Sequence, residues 1–439
     1  MTRICIDGFN LALRRGTGIA TYGRNLLSNL QAIGFNTEVL YGPDAAQNAT
    51  SLLNETALVD VERPPRKLNR KEKARRFIKT FDARFGRIAH PIAPSGEVIW
   101  PSHGGGQPDA DRFWASSSLF AQANRSMAAY GVGVPLTFRK TPEAPPPDVM
   151  HWTTPLPVRA KNIPNIVTFH DLIPLRLPHT TMDNKAVYLN LCRQAVRNAD
   201  HIAVVSETTR QDVERILGVS SDRITNTYQA VSLPSQLVTR AQEDVTLELE
   251  GIFRLGWKNY FLHFGAIEPK KNLGRIIEGY LASGSQTPLV LIGGRAWLDE
   301  GETALLSQVK RDGGPNADRI RQYEYMPFSL LISLIRGAKA TLFPSLYEGF
   351  GLPVLESMAL STAVLTSTAG SLPEVAGDAA VIVDPYDTQA IARGIQALDF
   401  DEALRDELVM RGKLQAARFT PQAYQNRLID LYAKIGATP

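Results

Sequence analysis

Two glutamates, Glu348 and Glu356, lie on either side of a glycine-rich turn in the last quarter of the chain. The turn begins with Gly349, Phe350, Gly351 and Leu352. Carboxylates accept hydrogen bonds, and glycines let backbone N–H groups approach a phosphate. The next residue, Pro353, favours a helix start, which adds a partial positive charge. The pattern predicts a diphosphate site bordered by two carboxylates, although a tight turn followed by a glutamate at a helix N-terminus has the same residues.

A histidine is the second candidate for chemistry. His170 directly follows the apolar run 166–169, so it stands at the carboxyl end of a predicted parallel strand, where α/β proteins bind ligands. A histidine there could orient a bound ligand, but a lone histidine can also be purely structural. The spacing of the other histidines does not predict a zinc site.

Alternating strands and helices must position these residues. Residues 3–41 read as an apolar run, a glycine-containing loop, a helical stretch and a second apolar run, which is typical of a β-α-β unit. The same alternation restarts at Tyr260. Strands that alternate with helices form buried parallel sheets. The sequence therefore predicts an α/β protein with two doubly wound, Rossmann-like domains that face a cleft.

The composition shifts suggest domain boundaries. We predict an N-terminal domain over 1–240 and a C-terminal domain over 257–420, with a polar, irregular joint at 234–256. The last helix, in 421–439, has an apolar stripe and is expected to pack back on the N-terminal domain.

The region 63–150 breaks the alternation and is predicted to be an irregular insertion in the N-terminal domain. Its first part, 63–90, holds eleven basic residues against two acids, with Phe77, Phe81 and Phe85 among them. The basic residues are Arg63, Arg66, Lys67, Arg70, Lys71, Lys73, Arg75, Arg76, Lys79, Arg84 and Arg87. Such a segment fits a solvated helix or a surface that contacts an anionic membrane or a lipid-diphosphate acceptor. A nucleic-acid patch fits less well, because no nucleic-acid-binding module is recognisable.

The composition is that of a globular protein. Its 439 residues are 44% hydrophobic and 21% charged, and the net charge is +4. No run approaches the roughly 18 apolar residues of a membrane span, and the N-terminus does not read as a signal peptide. The two cysteines, Cys5 and Cys192, fit reduced thiols in a cytoplasm.

The glutamate pair with its intervening turn resembles the signature of family 4 glycosyltransferases, which are retaining enzymes with two Rossmann-like domains facing a cleft (GT-B fold). Further matches follow in the family's order. They are Gly16 to Ile19, Phe169 to Pro174, Val205 to Glu207, His263 to Leu273 and Gly370 to Val375. The resemblance covers most of the chain, but the region 63–150 matches nothing in it.

The resemblance implies a role for each matching residue. Lys271 would contact the donor diphosphate, Glu356 would hold the ribose hydroxyls, and Glu348 would lie beside the transferred sugar. Together with His170, Glu348 and Lys271 form the predicted catalytic set. The predicted donor-binding residues are Lys270, Lys271, Gly349, Phe350, Gly351, Leu352, Glu356, Gly265, Gly16 and Gly18.

One position departs from the family pattern. Many members have an arginine directly after the glycine that matches Gly265, but here that residue is Ala266. We interpret Lys270 as the replacement charge; the alternative is a solvated surface lysine. No Asp-x-Asp pair ends a predicted strand, so neither a metal nor another cofactor is expected.

The runs 268–272 and 170–174 resemble those of bacterial polysaccharide mannosyl- and rhamnosyltransferases. This resemblance suggests GDP-mannose or a related GDP-sugar as the donor, with UDP-sugars as the next alternative. The acceptor would be a glycan or a lipid-linked sugar used for a surface polysaccharide such as lipopolysaccharide. We expect the protein in the cytoplasm, at the inner face of the membrane if 63–90 attaches it there. The alternatives are a non-catalytic sugar-nucleotide-binding subunit and a membrane or nucleic-acid adaptor.

Overall fold

The computed structural model describes residues 1–12, 18–43, 50–59, 69–100, 107–294 and 300–439. Within these ranges, no helix is both long and apolar enough to cross a membrane.

The N-terminal half is built on one sheet with helices packed around it. Its strands are β1 (Arg3–Asp7), β2 (Asn36–Tyr41), β3 (Arg87–Ile92), β4 (Arg112–Ala115), β5 (Val134–Phe138), β6 (Val149–Trp152), β7 (Val158–Ala160), β8 (Asn165–Phe169), β9 (His201–Val204) and β10 (Ile224–Asn226). Its helices are α1 (Gly18–Ala32), α2 (Ser51–Val59), α3 (Arg70–Ala83), α4 (Leu119–Tyr130), α5 (Ile173–Arg176), α6 (Lys185–Asn198) and α7 (Glu207–Leu217).

The strand order in this sheet is β10-β9-β8-β6-β1-β2-β4-β3-β5-β7. Neighbouring strands run parallel except β3 and β4, which are antiparallel. Every residue of β8 is buried, as expected for a strand covered on both faces. The carboxyl ends of β8, β6, β1, β2 and β4 therefore share one edge, and that edge carries His170.

The region 63–150 is more regular than the sequence suggests. Within its described part, β3, β4 and β5 extend the sheet, with His90 opposite Ala115 and Arg87 opposite Leu136. Pro91 lies within β3 and Pro135 within β5. Proline is unusual inside strands, so the sequence pattern did not predict them. Residues 63–68 and 101–106 lie outside the described ranges.

The C-terminal half has a six-stranded parallel sheet in the order β13-β12-β11-β14-β15-β16. Its strands are β11 (Phe261–Phe264), β12 (Leu289–Ile292), β13 (Ile320–Tyr323), β14 (Ala340–Phe343), β15 (Ala363–Ser367) and β16 (Val381–Val383). The helices of this half are α8 (Ser235–Val238), α9 (Gln242–Phe253), α10 (Leu273–Ser283), α11 (Glu300–Asp312), α12 (Pro315–Arg319), α13 (Phe328–Gly337), α14 (Leu352–Ala359), α15 (Leu372–Ala376), α16 (Thr388–Phe400), α17 (Glu402–Ala416) and α18 (Pro421–Ala433). The fold is α/β with two Rossmann-like domains.

The joint at 234–256 is largely helical, contrary to the expectation of an irregular segment. Helix α9 packs on α13 of the C-terminal half. A Cβ added at Gly337 would lie 2.2 Å from Leu249, so glycine permits this close contact. Helix α9 is difficult to predict from the sequence because the residue before it, Ala241, provides no side-chain cap.

The last helix returns to the N-terminal half. Helix α18 contacts α1, and its residues Leu428 and Leu431 are fully buried. The Tyr432 hydroxyl lies 2.6 Å from Nδ1 of His151 in β6. Burial lowers the pKa of His151 to about 3, so this histidine is neutral and structural.

Candidate active site

The glycine-rich loop after β14 lies where the two halves of the protein meet. At Gly349, an added Cβ would be 2.1 Å from the His170 carbonyl oxygen, so only glycine allows this approach. Gly351 has φ +110° at the start of α14, where a residue without Cβ is favoured. The loop thus brings the end of β14 against the end of β8.

A neighbouring loop holds the glycine-rich loop in place. The Ser371 hydroxyl lies 2.7 Å from the carbonyl oxygen of Phe350 and 3.0 Å from that of Glu348. Gly370 has φ +60°, and a Cβ there would lie 2.6 Å from the Glu348 carbonyl oxygen. The two segments that resemble the family signature therefore form one packed unit.

Lys271 and Glu348 form an ion pair inside this unit. Their Nζ and Oε1 atoms are 2.6 Å apart, and the side chains are only 12% and 11% exposed. Burial alone would raise the pKa of the Glu348 carboxyl, but the Lys271 and Lys270 ammonium groups outweigh it and hold that pKa below its ordinary value. Glu348 is therefore an ionised acceptor at neutral pH.

Lys270 is not a solvated surface lysine. Its Nζ lies 3.4 Å from Glu268, and its side chain is 21% exposed. Burial acts to lower the pKa of Lys270, but the carboxylates of Glu348, Asp171 and Glu268 raise it above its usual value. Since Asp171 belongs to the N-terminal half, Lys270 carries positive charge into the space between the halves.

Glu356 has the opposite electrostatic character to Glu348. It is half-buried on α14, and burial raises the pKa of its carboxyl to about 7, although Lys271 acts to lower it. The site therefore holds one ionised carboxylate and one that titrates near neutral pH. Hydrogen-bond donors of a ligand would satisfy the second carboxylate when it is ionised.

His170 faces the site from the N-terminal half. Its Nε2 lies 2.8 Å from the Thr153 carbonyl oxygen, which can only accept, so Nε2 carries the proton. Tyr22 packs edge-on against the ring at 4.7 Å. Burial lowers the pKa of His170. The ring is thus neutral and fixed, with Nδ1 left as a hydrogen-bond acceptor.

The predicted donor-binding glycines outside the glycine-rich loop differ in how closely other residues approach them. Gly265 follows β11 with φ +133°, and its carbonyl oxygen would lie 1.8 Å from a Cβ on Gly293, so the ends of β11 and β12 meet closely there. Gly18 begins α1 and has open space where a Cβ would stand. Gly16 lies outside the described residues.

Two residues with structural importance at the site were not predicted individually. The Asn272 side chain donates hydrogen bonds of 2.8 Å to the carbonyls of Pro344 and Pro385, which ties the lysine loop to the strand before the glycine-rich loop. Glu374 contacts α7 of the N-terminal half. Asn272 has φ +63° and follows the lysine pair. The sequence feature that could have identified it is an asparagine just before a helical pattern, since asparagine tolerates this backbone conformation.

In the described part of the chain, no group of three or more His, Cys, Asp or Glu residues is arranged to hold a metal ion. In the site around the glycine-rich loop, the side chains of Lys270 and Lys271 provide positive charge.

Comparison with known proteins agrees with this geometry. Residues 253–415 match the family model described as glycosyl transferases group 1, and residues 97–233 match that of glycosyltransferase family 4. The chain is also 32% identical over 272 residues to O-antigen chain mannosyltransferase B of Escherichia coli, covering 61% of this chain and 69% of that protein. This protein belongs to the group 1, or family 4, glycosyltransferases. These are retaining hexosyltransferases, as predicted.

Other relatives of this glycosyltransferase are more distant. It is 29% identical to the serotype-specific mannosyltransferase WbdA of Escherichia coli, over 61% of this chain but only 33% of the relative. It is 26% identical to O-antigen chain mannosyltransferase RfbU of Salmonella typhimurium, over 57% of this chain and 63% of that protein.

Solved structures show the same fold at low identity. Sucrose-phosphate synthase from Thermosynechococcus elongatus aligns over 99% of both chains with a TM-score of 0.64 and 18% identity. HepE of Anabaena, in complex with UDP and glucose, aligns over 99% of this chain and 100% of its own with a TM-score of 0.63 and 14% identity. The predicted GT-B fold is confirmed.

Proposed function

We propose that this glycosyltransferase transfers a hexose or deoxyhexose from a nucleotide diphosphate sugar to a glycan or lipid-linked acceptor in surface polysaccharide synthesis. The favoured donor is GDP-mannose or a related GDP-sugar. The observation that carries this proposal is the ion pair between Lys271 and Glu348, with Lys270 beside it, at the junction of the two halves. The matches to O-antigen mannosyltransferases support mannose as the sugar.

In this proposal, the two lysines serve the diphosphate. Charge develops on the diphosphate as the anomeric C–O bond breaks and the bonding electrons leave with its oxygen. Fixed ammonium groups stabilise such charge most in the transition state. Glu348 holds Lys271 in place before the donor binds, so little reorganisation is needed. No metal is required for this step.

The remaining residues position the sugar nucleotide and the acceptor. Glu356 accepts from the ribose hydroxyls, and backbone N–H groups of 349–352 donate to phosphate or sugar oxygens. Glu348 and His170 border the transferred sugar from the two halves. The acceptor hydroxyl attacks the anomeric carbon from the same face that the diphosphate leaves, so the configuration is retained. The hydroxyl proton passes to an oxygen of the leaving diphosphate.

The proposed location is the inner face of the cytoplasmic membrane. Phe77, Phe81 and Phe85 are 63%, 41% and 74% exposed although they are large and apolar. Arg84 stacks on Phe81 at 3.9 Å, which places a cation beside this apolar surface. An exposed apolar surface with basic neighbours is what an anionic membrane would bind.

A nucleotide screen tests the proposed donor. A ligand that binds only the folded state stabilises it by about 2.7 kcal/mol at one hundred times its Kd. We expect GDP to raise Tm more than UDP, ADP or CDP, and we expect GDP-mannose to yield an α-mannosylated product by NMR of the anomeric proton. A larger shift with UDP, together with product from a UDP-sugar, would replace the proposed donor. Binding without any product would favour the non-catalytic subunit.

A further inference from the structure

A cavity lined by none of the predicted donor-binding residues lies at the edge of the N-terminal sheet that carries His170. Its volume is about 400 Å³. Pro43, which follows β2, and Ser116 and Ser117, which follow β4, line it. His170 follows β8 on the same edge. The strand order places four steps between β8 and β4, which is about 19 Å at the usual strand spacing.

Positively charged and donor groups converge on this cavity. Arg87, Lys79 and His90 line it from β3 and α3, and Gln122 lines it from the first turns of α4. One terminal nitrogen of Arg87 donates to the Lys79 carbonyl at 2.8 Å and also contacts the Gln122 side-chain oxygen. Among the described residues, Nε of Arg87 is buried without a hydrogen-bond partner. The guanidinium is thus held in place through one terminal nitrogen.

The cavity lacks opposing charge where the structure describes it. Its described lining contains no aspartate or glutamate. The nearby Glu55 carboxylate accepts from the backbone N–H of Ser95 at 2.5 Å. Asp82 acts on Arg87 only through space. A cavity lined by a lysine and an arginine, with no carboxylate in its described lining, favours an anionic ligand.

We infer that this cavity binds a phosphate group carried by the acceptor substrate. The acceptor assignment rests on the proposed function, in which the donor occupies the C-terminal half. A phosphate about 19 Å from the transfer site along the edge corresponds to an acceptor that extends along the sheet.

Exposed apolar side chains at or beside the cavity could distinguish a lipid-linked phosphate from a phosphate-bearing glycan. Ile88 lines the cavity and is 54% exposed, and Phe85, which is not itself in the lining but precedes the lining residue Gly86, is 74% exposed. An apolar chain attached to the phosphate would contact these side chains. A phosphate-bearing glycan without a lipid shares the anion chemistry but gains nothing from the apolar rim.

Histidine NMR on the full chain tests the site directly. With 13C-labelled histidine rings, the His90 signal reports on the cavity and the His170 signal on the donor site. We expect pyrophosphate to shift the His90 signal saturably, and Lys79→Gln to raise the Kd read from that signal about tenfold. Lys413→Gln removes an exposed lysine from α17 and serves as the matched control. If only the His170 signal shifts, or if Lys79→Gln and Lys413→Gln behave alike, the site is refuted.

Two probes separate the sources of the phosphate. Geranyl diphosphate adds a short apolar chain to the same anion. If it binds at His90 at least tenfold more tightly than pyrophosphate, and Phe85→Ser removes that gain, the phosphate is lipid-linked. Equal affinities assign it to a phosphate-bearing glycan.

Transferase kinetics separate this inference from the proposed function. In an active enzyme, Lys79→Gln should raise the acceptor KM severalfold and leave the donor KM unchanged. An unchanged acceptor KM would refute the acceptor assignment. A protein that transfers no sugar but still binds pyrophosphate at His90 would refute the proposed function and leave the anion site standing.

Discussion

The Glu374 carboxylate, at the start of α15, accepts a hydrogen bond of 2.8 Å from the backbone N–H of Glu207, at the start of α7. Its second oxygen lies 3.3 Å from the N–H of Thr208. The first N–H groups of a helix lack partners within the helix and carry its positive dipole end. A carboxylate from the C-terminal half therefore caps a helix of the N-terminal half and holds the two halves together.

Removing this carboxylate should loosen the contact between the halves. We expect Glu374→Ala to cost about 1–2 kcal/mol, the value of a helix cap, and to increase the radius of gyration measured by small-angle scattering. Asp387→Ala is the matched control, because Asp387 caps α16 within its own half with bonds of 2.8 and 3.0 Å. An equal radius of gyration in both variants would show that Glu374 does not hold the halves together.

Lys271→Ala should reduce turnover more than donor affinity, because the charge on the leaving diphosphate is greatest in the transition state. It should also destabilise the protein, by up to about 3–5 kcal/mol, since buried Glu348 would lose its ion-pair partner and keep only the more distant charge of Lys270. The double variant Lys271→Ala with Glu348→Gln should recover part of that stability in urea unfolding, but not the turnover. Equal losses in donor affinity and rate would show that Lys271 only binds.

Glu356→Ala should weaken donor binding by about 1.5–3 kcal/mol in calorimetry, the value of a hydrogen bond to a charged group. The reason is the loss of the acceptor that we assign to the ribose. Glu402→Ala, at an exposed position on α17, provides the control. Undiminished donor affinity in Glu356→Ala would rule out the ribose role.

Stability should depend on pH through Glu356. Burial raises the pKa of this carboxyl from 4.5 to about 7 in the folded protein. A raised folded-state pKa stabilises fully below pH 4.5, and the contribution is lost as the pH rises through 7. Between these values, the free energy of unfolding of the wild type should fall by up to about 3 kcal/mol more than that of Glu356→Gln. Parallel pH curves for the two proteins would contradict the raised pKa.

Activity should survive chelation. Lys270 and Lys271 supply the positive charge that a divalent ion would otherwise supply to the diphosphate. The rate in EDTA should stay within about twofold of the untreated rate, a barrier change below about 0.5 kcal/mol. Loss of activity that returns with Mg²⁺ or Mn²⁺ would show that the lysines are insufficient.

The full chain should bind vesicles that contain anionic lipid, and salt should weaken that binding. Replacing both Phe77 and Phe85 by serine should reduce co-sedimentation about tenfold or more, because each buried phenylalanine contributes about 1.5–3 kcal/mol. Phe400→Ser is a matched control, since Phe400 is 78% exposed on the C-terminal half. Equally poor binding to anionic and neutral vesicles at low salt would exclude a membrane role.

Much of this protein could be predicted from local patterns. The strand pattern at 340–343 and the helix start at Pro353 agree with β14 and α14. Both depend on hydrophobic periodicity and on the preferences of glycine and proline, which act over a few residues. The family and the fold class were predictable for the same reason, because their motifs are short and occur in order along the chain.

Other features depend on residues that are far apart in the sequence. Lys270 could not be distinguished from a solvated lysine, because Asp171 and Glu348 approach it only in the folded chain. The opposite pKa shifts of Glu348 and Glu356 likewise follow from the folded chain: burial acts to raise both pKa values, but Lys270 and Lys271 both act on Glu348, whereas only Lys271 acts on Glu356.

The sequence by itself determined the identity of the chemical groups and the local turns that present them. The tertiary structure alone decided their electrostatic state and their partners across the cleft, as for Gly349 against His170. It also showed that 87–138 supplies strands to the sheet. The physical reason is that burial and Coulomb interactions depend on distances between residues far apart in the chain, which only the folded structure defines.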